Sequence, residues 1–396
     1  MRISLASFTS VASLLGAVLL PTTAAAIPVG TGPRIPRAAV ARSTALPLTP
    51  LGPTARGAAP APFGLRARGT PRYSLLGVSW DDPAAVWDGT VQVRTHRAED
   101  GDGGSGGWSG WRPLAVEPED RTDPGGAEPA DGRHPRGATT PLWVGSSDGV
   151  EVRVAGRGPL PTGLRVDLVD PGADPAGGGP ARDRVPPGRA PTSSHAAPRP
   201  AIVLRAGWGA DETLRQPGVD YTDDVREVFV HHTDTGNDYR CADSPKVIRS
   251  IYQYHVVANG WRDIGYNFLV DRCGTVYEGR AGGVTLPVLG AHTLGFNSDS
   301  AGVAALGSYD SDAPSQRLLD GIARVAAWKL GLTGQDARGK AALVSASDRS
   351  RYPKGTSHTF AAISGHRDAF STDCPGEALY RRLPDVRTAA AHLQGR

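Results

Sequence analysis

The sequence of 396 residues lacks, beyond residue 26, any apolar stretch long enough to span a bilayer, which argues against a multi-span membrane protein. It also lacks an HExxH helix, so a thermolysin-like protease is disfavoured. The formal charge of +3 is too mild for a dedicated nucleic-acid-binding protein. Cysteine is scarce, and its count of three is odd, so at least one thiol stays outside an intramolecular disulfide.

The first 26 residues are typical of a secretory signal peptide. Arg2 is the only charge there, an apolar run covers 11–20, and Ala24-x-Ala26 is a small-residue cleavage site. A membrane anchor is the alternative, but the run is short for that purpose. We therefore expect an exported protein, located outside the cell in association with the cell wall.

Proline (34) and glycine (51) are abundant but unevenly spread, which indicates linkers between domains. Residues 27–70 contain few large apolar side chains and are predicted to form a disordered lead. Residues 173–199 are again rich in Pro, Gly and Ala and predict a semi-stiff linker. We expect an independent β-rich domain at 71–172, tethered by this linker to a second domain at 200–396.

The 71–172 segment contains short alternating strands such as 91–95 and 150–154, separated by Gly, Asp and Pro turns, which predicts a β-sandwich-like domain. Five of the eight Trp residues fall here. They could be aromatic platforms for sugars, but we favour a small core that needs large side chains. No catalytic constellation is visible in this half, and its ligand stays open.

The second half intermixes strands and helices without regular βαβ repeats, which predicts an α/β fold with a mixed sheet flanked by helices. Its two most informative stretches are VFVHHT, ending at Thr233, and ISGHRD, followed by DCPG. In the first, strand alternation places His231 on one face with Phe229, and His232 on the other. His366 and Cys374 belong to the second. Two imidazoles and one thiolate suit Zn²⁺, although a lone strand-end His is more often a hydrogen-bonded edge residue.

Four motifs occur in order in this half: VFVHHT, GWRDIGYNFLVDRCGTVYEGR, GAHTLGFNSDSAGVAALG and GHRDAFSTDCPG. Over residues 200–396 this series resembles the family of peptidoglycan recognition proteins and phage-type zinc amidases. The resemblance implies N-acetylmuramoyl-L-alanine amidase activity, which hydrolyses the amide between N-acetylmuramic acid and L-alanine. It also implies peptidoglycan as the partner, and we expect a monomer that does not bind nucleic acid.

The resemblance carries over to individual residues. It implies a zinc site with one coordination position open for water, a catalytic Tyr, a hydroxyl donor to the oxyanion, three substrate contacts and one disulfide. The residues concerned are His231, His366 and Cys374 for the metal, Tyr266 and Thr372 for catalysis, His292, Asn297 and Arg280 for substrate, and Cys241 with Cys273 for the disulfide. We expect His232 to be a packed neighbour or a group that supports the metal ligands without binding the metal, and Asp368 to hydrogen-bond a ligand His.

One departure concerns the stem peptide. Many family members carry Gly-Trp after the arginine that matches Arg280, whereas Ala281-Gly282-Gly283 stands here, so the diamino-acid preference stays open. A recognition protein that binds muropeptides without cutting them is the alternative function. Non-catalytic members typically lack the zinc Cys, and its presence at Cys374 favours an enzyme.

Overall fold

The computed structural model describes residues 41–52, 63–85, 87–99, 106–116, 123, 134–174 and 195–396. The predicted signal peptide and most of the predicted linker lie outside these ranges. Among the described residues, no helix has both the length and the apolar character needed to cross a membrane.

The first half is an antiparallel nine-stranded sheet in the order β1-β9-β3-β8-β4-β5, in which β2 and β7 also pair with β3 and β6 with β4. Its strands are β1 Arg42–Pro47, β2 Thr49–Pro50, β3 Phe63–Trp80, β4 Gly89–Arg97, β5 Gly107–Trp108, β6 Arg112–Leu114, β7 Gly137–Ala138, β8 Leu142–Gly156 and β9 Arg165–Asp170. Register shifts between β3 and β8 bend both strands, so that the sheet folds over an apolar core.

The β-rich domain begins earlier than the sequence predicts. Strands β1, β2 and the start of β3 lie within 27–70, where we expected a disordered lead. Few of their side chains are apolar, so composition gave no signal. Their order comes from backbone pairing, because β1 adds to β9 over six residues and Phe63 pairs with Val154.

The tryptophans of this half differ in their burial. Trp80 and Trp143 are buried, as the core interpretation predicts. Trp108 is 40% exposed, and the guanidinium of Arg94 lies 5.1 Å from its ring centre.

The second half contains a six-stranded mixed sheet in the order β10-β13-β12-β14-β11-β17, in which only β12 and β13 are antiparallel. Its strands are β10 Ile202–Val203, β11 Glu227–His232, β12 Phe268–Val270, β13 Val276–Glu278, β14 Ser300–Ala305 and β17 Ile363–Gly365, while β15 Lys340–Val344 and β16 Ser357–Ala361 form a separate pair. The helices are α1 Arg205–Trp208, α2 Ser244–Gln253, α3 Gln316–Gly331, α4 His366–Ala369, α5 Glu377–Tyr380 and α6 Leu383–Leu393, and a π-helical turn, Tyr254–Ala258, extends α2.

The two faces of this sheet pack against different partners. Val228 and Val230 of β11 face α3 and α6 in one apolar cluster. Leu269 and Ala304 face α2 in another cluster, which also contains Leu75, Trp143 and Val169 of the β-rich domain. The two halves of the chain therefore share a hydrophobic core, which differs from the tethered arrangement that the sequence predicts.

Close contacts seal this shared interface. The hydroxyl of Tyr254 donates to the Thr139 carbonyl at 3.1 Å, and the Trp143 N–H donates to the Thr235 carbonyl at 2.9 Å. A Cβ atom on Gly77 would lie 2.1 Å from the Tyr254 hydroxyl oxygen, so this position requires glycine. The glycine allows strand β3 to approach the turn after α2 closely.

Candidate metal centre

The first predicted ligand, His231, lies near the end of β11, the strand between β14 and β17. Strand alternation places it with Phe229, opposite Val228 and Val230, as the sequence predicts. The side chain is fully buried. His231 pairs with the small residue Ala304 of β14, and it lies at the end of the sheet where β11 finishes.

The other two predicted ligands reach the same end of the sheet from the neighbouring strand. Strand β17 runs parallel to β11, and His366 follows its last residue as the first residue of α4. The loop after α4 then folds back, because the Arg367 N–H donates to the Cys374 carbonyl at 2.9 Å. This returns the thiol to the end of β11, where Sγ lies 3.7 Å from Nδ1 of His231.

One ligand atom each from His231, His366 and Cys374 lies within 4.8 Å of the other two, and all three residues are buried. Burial, and then the neighbouring His366 and His292, lower the pKa of His231 well below its ordinary value. Burial, and then His232, lower the pKa of His366 to about 3. Both imidazoles are therefore neutral near pH 7, which is the form that binds a metal.

Zinc fits these donors by its chemistry. Three points within 4.8 Å of one another all lie within about 2.8 Å of a common centre. Zn–N and Zn–S bonds are ~2.0–2.3 Å long, so a small inward shift of the side chains completes the coordination. Two imidazoles and one thiolate are typical ligands of a catalytic zinc site, which keeps its fourth position for water.

The two predicted catalytic residues both lie beside the cluster. The ring centre of Tyr266 is 5.5 Å from that of His231, and the residue is buried. The hydroxyl oxygen of Thr372 accepts the Cys374 N–H at 3.0 Å. A hydroxyl that accepts through its oxygen keeps its own proton for donation to another group.

His292 also belongs to this cluster, with its ring centre 5.2 Å from that of His231. Its Nδ1 lies 3.0 Å from the Thr293 hydroxyl, while Nε2 is buried without a hydrogen-bond partner in the described part of the chain. A Cβ atom on Gly302 would lie 2.4 Å from the imidazole ring. The absence of a side chain at Gly302 therefore makes the space that the His292 ring occupies.

Asn297 supports the backbone around His292. Its Oδ1 accepts the N–H groups of His292 and Thr293 at 2.8 and 3.0 Å. Its amide nitrogen donates to Asp123 at 3.1 Å, and the Gly295 N–H donates to the same carboxylate. Asp123 comes from the first half of the chain, and the sequence gave no signal for this contact because it joins residues 174 positions apart.

The third predicted substrate residue, Arg280, is partly exposed and close to the cluster. Its Nε donates to the Ile264 carbonyl at 3.0 Å, and one terminal nitrogen donates to the Leu289 carbonyl at 3.2 Å. It lines a pocket together with Asp263 and Arg262, among others. Its positive charge contributes, after burial and His366, to the lowered pKa of His292.

Two further predictions have different outcomes. Cys241 and Cys273 form a disulfide with Cα atoms 6.2 Å apart, and Cys374 is a buried thiol outside any disulfide. The role expected for Asp368, a hydrogen bond to a ligand His, is not what we observe. Its carboxylate instead accepts the Gly365 N–H at 2.9 Å and the Tyr380 hydroxyl at 2.6 Å. It caps the first turn of α4, because it follows Gly365 by three residues.

The fold and this cluster define an α/β domain with a candidate His-His-Cys metal centre. Residues 221–377 match the family model of N-acetylmuramoyl-L-alanine amidase. Residues 33–196 match a second model, described as Rv3811 N-terminal galactose-binding domain-like.

The relatives agree with the first match. The chain is 31% identical to peptidoglycan-recognition protein 1 of Holotrichia diomphalia, over 46% of this chain and 79% of that protein. It is 35% identical to a human N-acetylmuramoyl-L-alanine amidase, over 46% of this chain and 28% of that protein. Among solved structures, wild-type Drosophila PGRP-LB is 25% identical, with 46% of this chain and 91% of that chain covered and a TM-score of 0.36.

The chain belongs to the family of peptidoglycan-recognition proteins and N-acetylmuramoyl-L-alanine amidases. It spans about a third or less of the length of several relatives, such as the human amidase (28%) and Drosophila peptidoglycan-recognition protein LE (33%). The family contains both amidases and recognition proteins, so membership alone leaves the activity of this chain to be argued from its site.

Proposed function

We propose that the chain is a zinc-dependent N-acetylmuramoyl-L-alanine amidase that acts outside the cell on peptidoglycan. The observation that carries this proposal is the buried group of His231, His366 and Cys374, whose ligand atoms lie within 4.8 Å of one another. The Cys241–Cys273 disulfide supports an extracellular location, since disulfides persist in oxidising compartments.

Zinc held by these three residues would lower the pKa of a bound water towards neutrality and polarise the carbonyl of the scissile amide. Tyr266 is proposed to donate a hydrogen bond from its phenolic hydroxyl to the carbonyl oxygen of the scissile amide as that oxygen gains negative charge. Thr372 is proposed to donate a hydrogen bond from its hydroxyl group to the same oxygen, because its own oxygen already accepts the Cys374 N–H. Thr372 contributes less, since a neutral hydroxyl brings no charge.

On the substrate side, we propose that His292 contacts the muropeptide through Nε2, the ring nitrogen that is left after Nδ1 meets Thr293. Asn297 holds the backbone of this segment, and it is proposed to take part in binding the same muropeptide. Arg280 is proposed to meet a stem-peptide carboxylate.

A recognition protein that binds muropeptides without cleaving them is the second candidate, because many relatives carry that name. The two functions differ in whether new N-termini appear. The test incubates the purified protein with peptidoglycan, before and after chelation and zinc restoration, and measures L-alanine N-termini. We expect release that chelation abolishes and zinc restores. Binding to the wall without new N-termini at full zinc occupancy would contradict the amidase proposal.

A further inference from the structure

The second histidine of the strand-end pair, His232, faces away from the candidate zinc centre. It lies on the same face of β11 as Val230, and it is 3% exposed. Its Nδ1 accepts the Tyr309 N–H at 3.2 Å. Its Nε2 is buried and has no hydrogen-bond partner among the residues that the structure describes. Buried polar atoms are rarely left unpaired, so this nitrogen is a candidate to bind a group outside the described residues.

Two carboxylates converge on His232. One oxygen each from Asp234 and Asp310 and one ring nitrogen of His232 all lie within 4.8 Å of one another. Asp234 is fixed in place, because its N–H donates to the Gly307 carbonyl at 3.0 Å and its carboxylate accepts the Thr140 hydroxyl at 3.2 Å. Thr140 belongs to the β-rich domain, so the group lies where the two halves of the chain meet.

The charges around this group are unbalanced. Burial raises the pKa of Asp310, and repulsion from Asp234 and Asp373 adds to that effect, while His232 opposes it. The guanidinium of Arg367 also opposes the rise in the pKa of Asp310, but it is already engaged, since it donates to Glu377 at 2.6 Å and to the Asp373 carbonyl at 2.6 Å. A divalent cation would relieve the repulsion between the carboxylates.

We propose that His232, Asp234 and Asp310 form a second divalent-cation site, on the opposite face of β11 from the His-His-Cys centre. One imidazole and two carboxylates suit a transition metal such as Zn²⁺, Co²⁺ or Mn²⁺, with water completing the coordination. By binding both Asp310 and His232, the cation would link the loop after β14 to the end of β11. The His232 N–H also donates to Cys374 Sγ at 3.4 Å, so the bound cation would stabilise the backbone beside the His-His-Cys centre.

A cobalt titration of the chelator-treated full chain distinguishes the two sites. Co²⁺ bound at His231, His366 and Cys374 gives a thiolate-to-cobalt absorption band, whereas Co²⁺ bound by nitrogen and oxygen alone does not. We expect the wild-type chain to bind two equivalents, of which one produces the band. Asp310→Asn and Asp234→Asn should each lose one equivalent and keep the band. Asp310 is exposed, so its substitution tests the site with little risk to folding.

Asp312→Asn is the matched control, because Asp312 lies in the same loop and instead accepts the Asn237 amide at 2.7 Å. It should bind two equivalents. The proposal is overturned if the wild-type chain binds only the equivalent that produces the thiolate band, or if both Asp310→Asn and Asp234→Asn keep two equivalents. Absence of the thiolate band with a band-free equivalent still present would contradict the zinc amidase and leave the second site standing.

Discussion

The shared core predicts that the β-rich half and the α/β half of the chain unfold together. Leu75 and Leu76 are neighbours on β3, and both are fully buried. They point to opposite faces of the strand: Leu75 packs in the cluster shared with α2, whereas Leu76 packs inside the β-rich domain. Alanine substitutions at these two positions therefore form a matched pair, one at the interface and one in the core of the first domain.

The size of each effect follows from the cavity that the substitution leaves. A buried Leu→Ala substitution costs ~2–5 kcal/mol of unfolding free energy. A change of 1 kcal/mol shifts the Tm of a 150–250-residue domain by about 2–4 °C, and larger cooperative units shift less. For the two halves unfolding as one unit, we expect both Leu75→Ala and Leu76→Ala to lower a single Tm by about 3–8 °C.

Differential scanning calorimetry of the wild-type chain and the two variants measures this directly. The expected result is one transition in all three proteins, displaced to a similar extent by either substitution. Two transitions in the wild-type chain, with Leu76→Ala lowering only one of them, would refute the shared core. That outcome would restore the tethered arrangement that the Pro- and Gly-rich composition predicts.

Two further predictions concern single side chains. Tyr266→Phe should keep zinc and slow amide hydrolysis about 100- to 1000-fold, as is typical for the loss of one oxyanion donor. Thr372→Val should slow it less. If the Tyr266→Phe protein turned over at the wild-type rate with matched zinc content, Tyr266 would have no role in the mechanism. Burial lowers the pKa of Lys329 from 10.5 to about 7, so the unfolded chain binds more protons between these values and stability should rise with pH across this window. Lys329→Met should remove that contribution. Urea unfolding of the wild-type and variant proteins at pH 7 and pH 9 measures it. If the difference in unfolding free energy between the two proteins is the same at both pH values, the prediction is refuted.

Much of the second half could be predicted from local patterns. The alternation of VFVHH placed His231 and His232 on opposite faces. In α3, Gln316–Gly331, the buried residues Leu318, Leu319, Ile322, Val325 and Ala326 recur with the period of a helix, which is a pattern that the sequence itself displays. Helix α6 is harder to predict, because Pro384 suggests a break in helical structure. In the structure this proline occupies the first turn of a new helix, where a missing N–H costs nothing.

The remaining features depend on contacts between distant residues. The packing of Leu75 and Trp143 against α2 has no local signature, because a buried apolar residue gives the same pattern whichever partner covers it. The Asp123 contact with Asn297 and the meeting of His232 with Asp310 are likewise set by the closure of long loops. Strand β1 is ordered by pairing with β9, and composition alone does not reveal that pairing.

The central claim is that Cys374 holds a zinc on which hydrolysis depends. The direct test compares bound zinc and the release of L-alanine N-termini from peptidoglycan for the wild-type chain and Cys374→Ser. A neutral hydroxyl replaces a thiolate in this variant, so the account predicts that one zinc equivalent and the amidase activity are lost together. A Cys374→Ser protein that keeps both its zinc and its wild-type rate of release would contradict it.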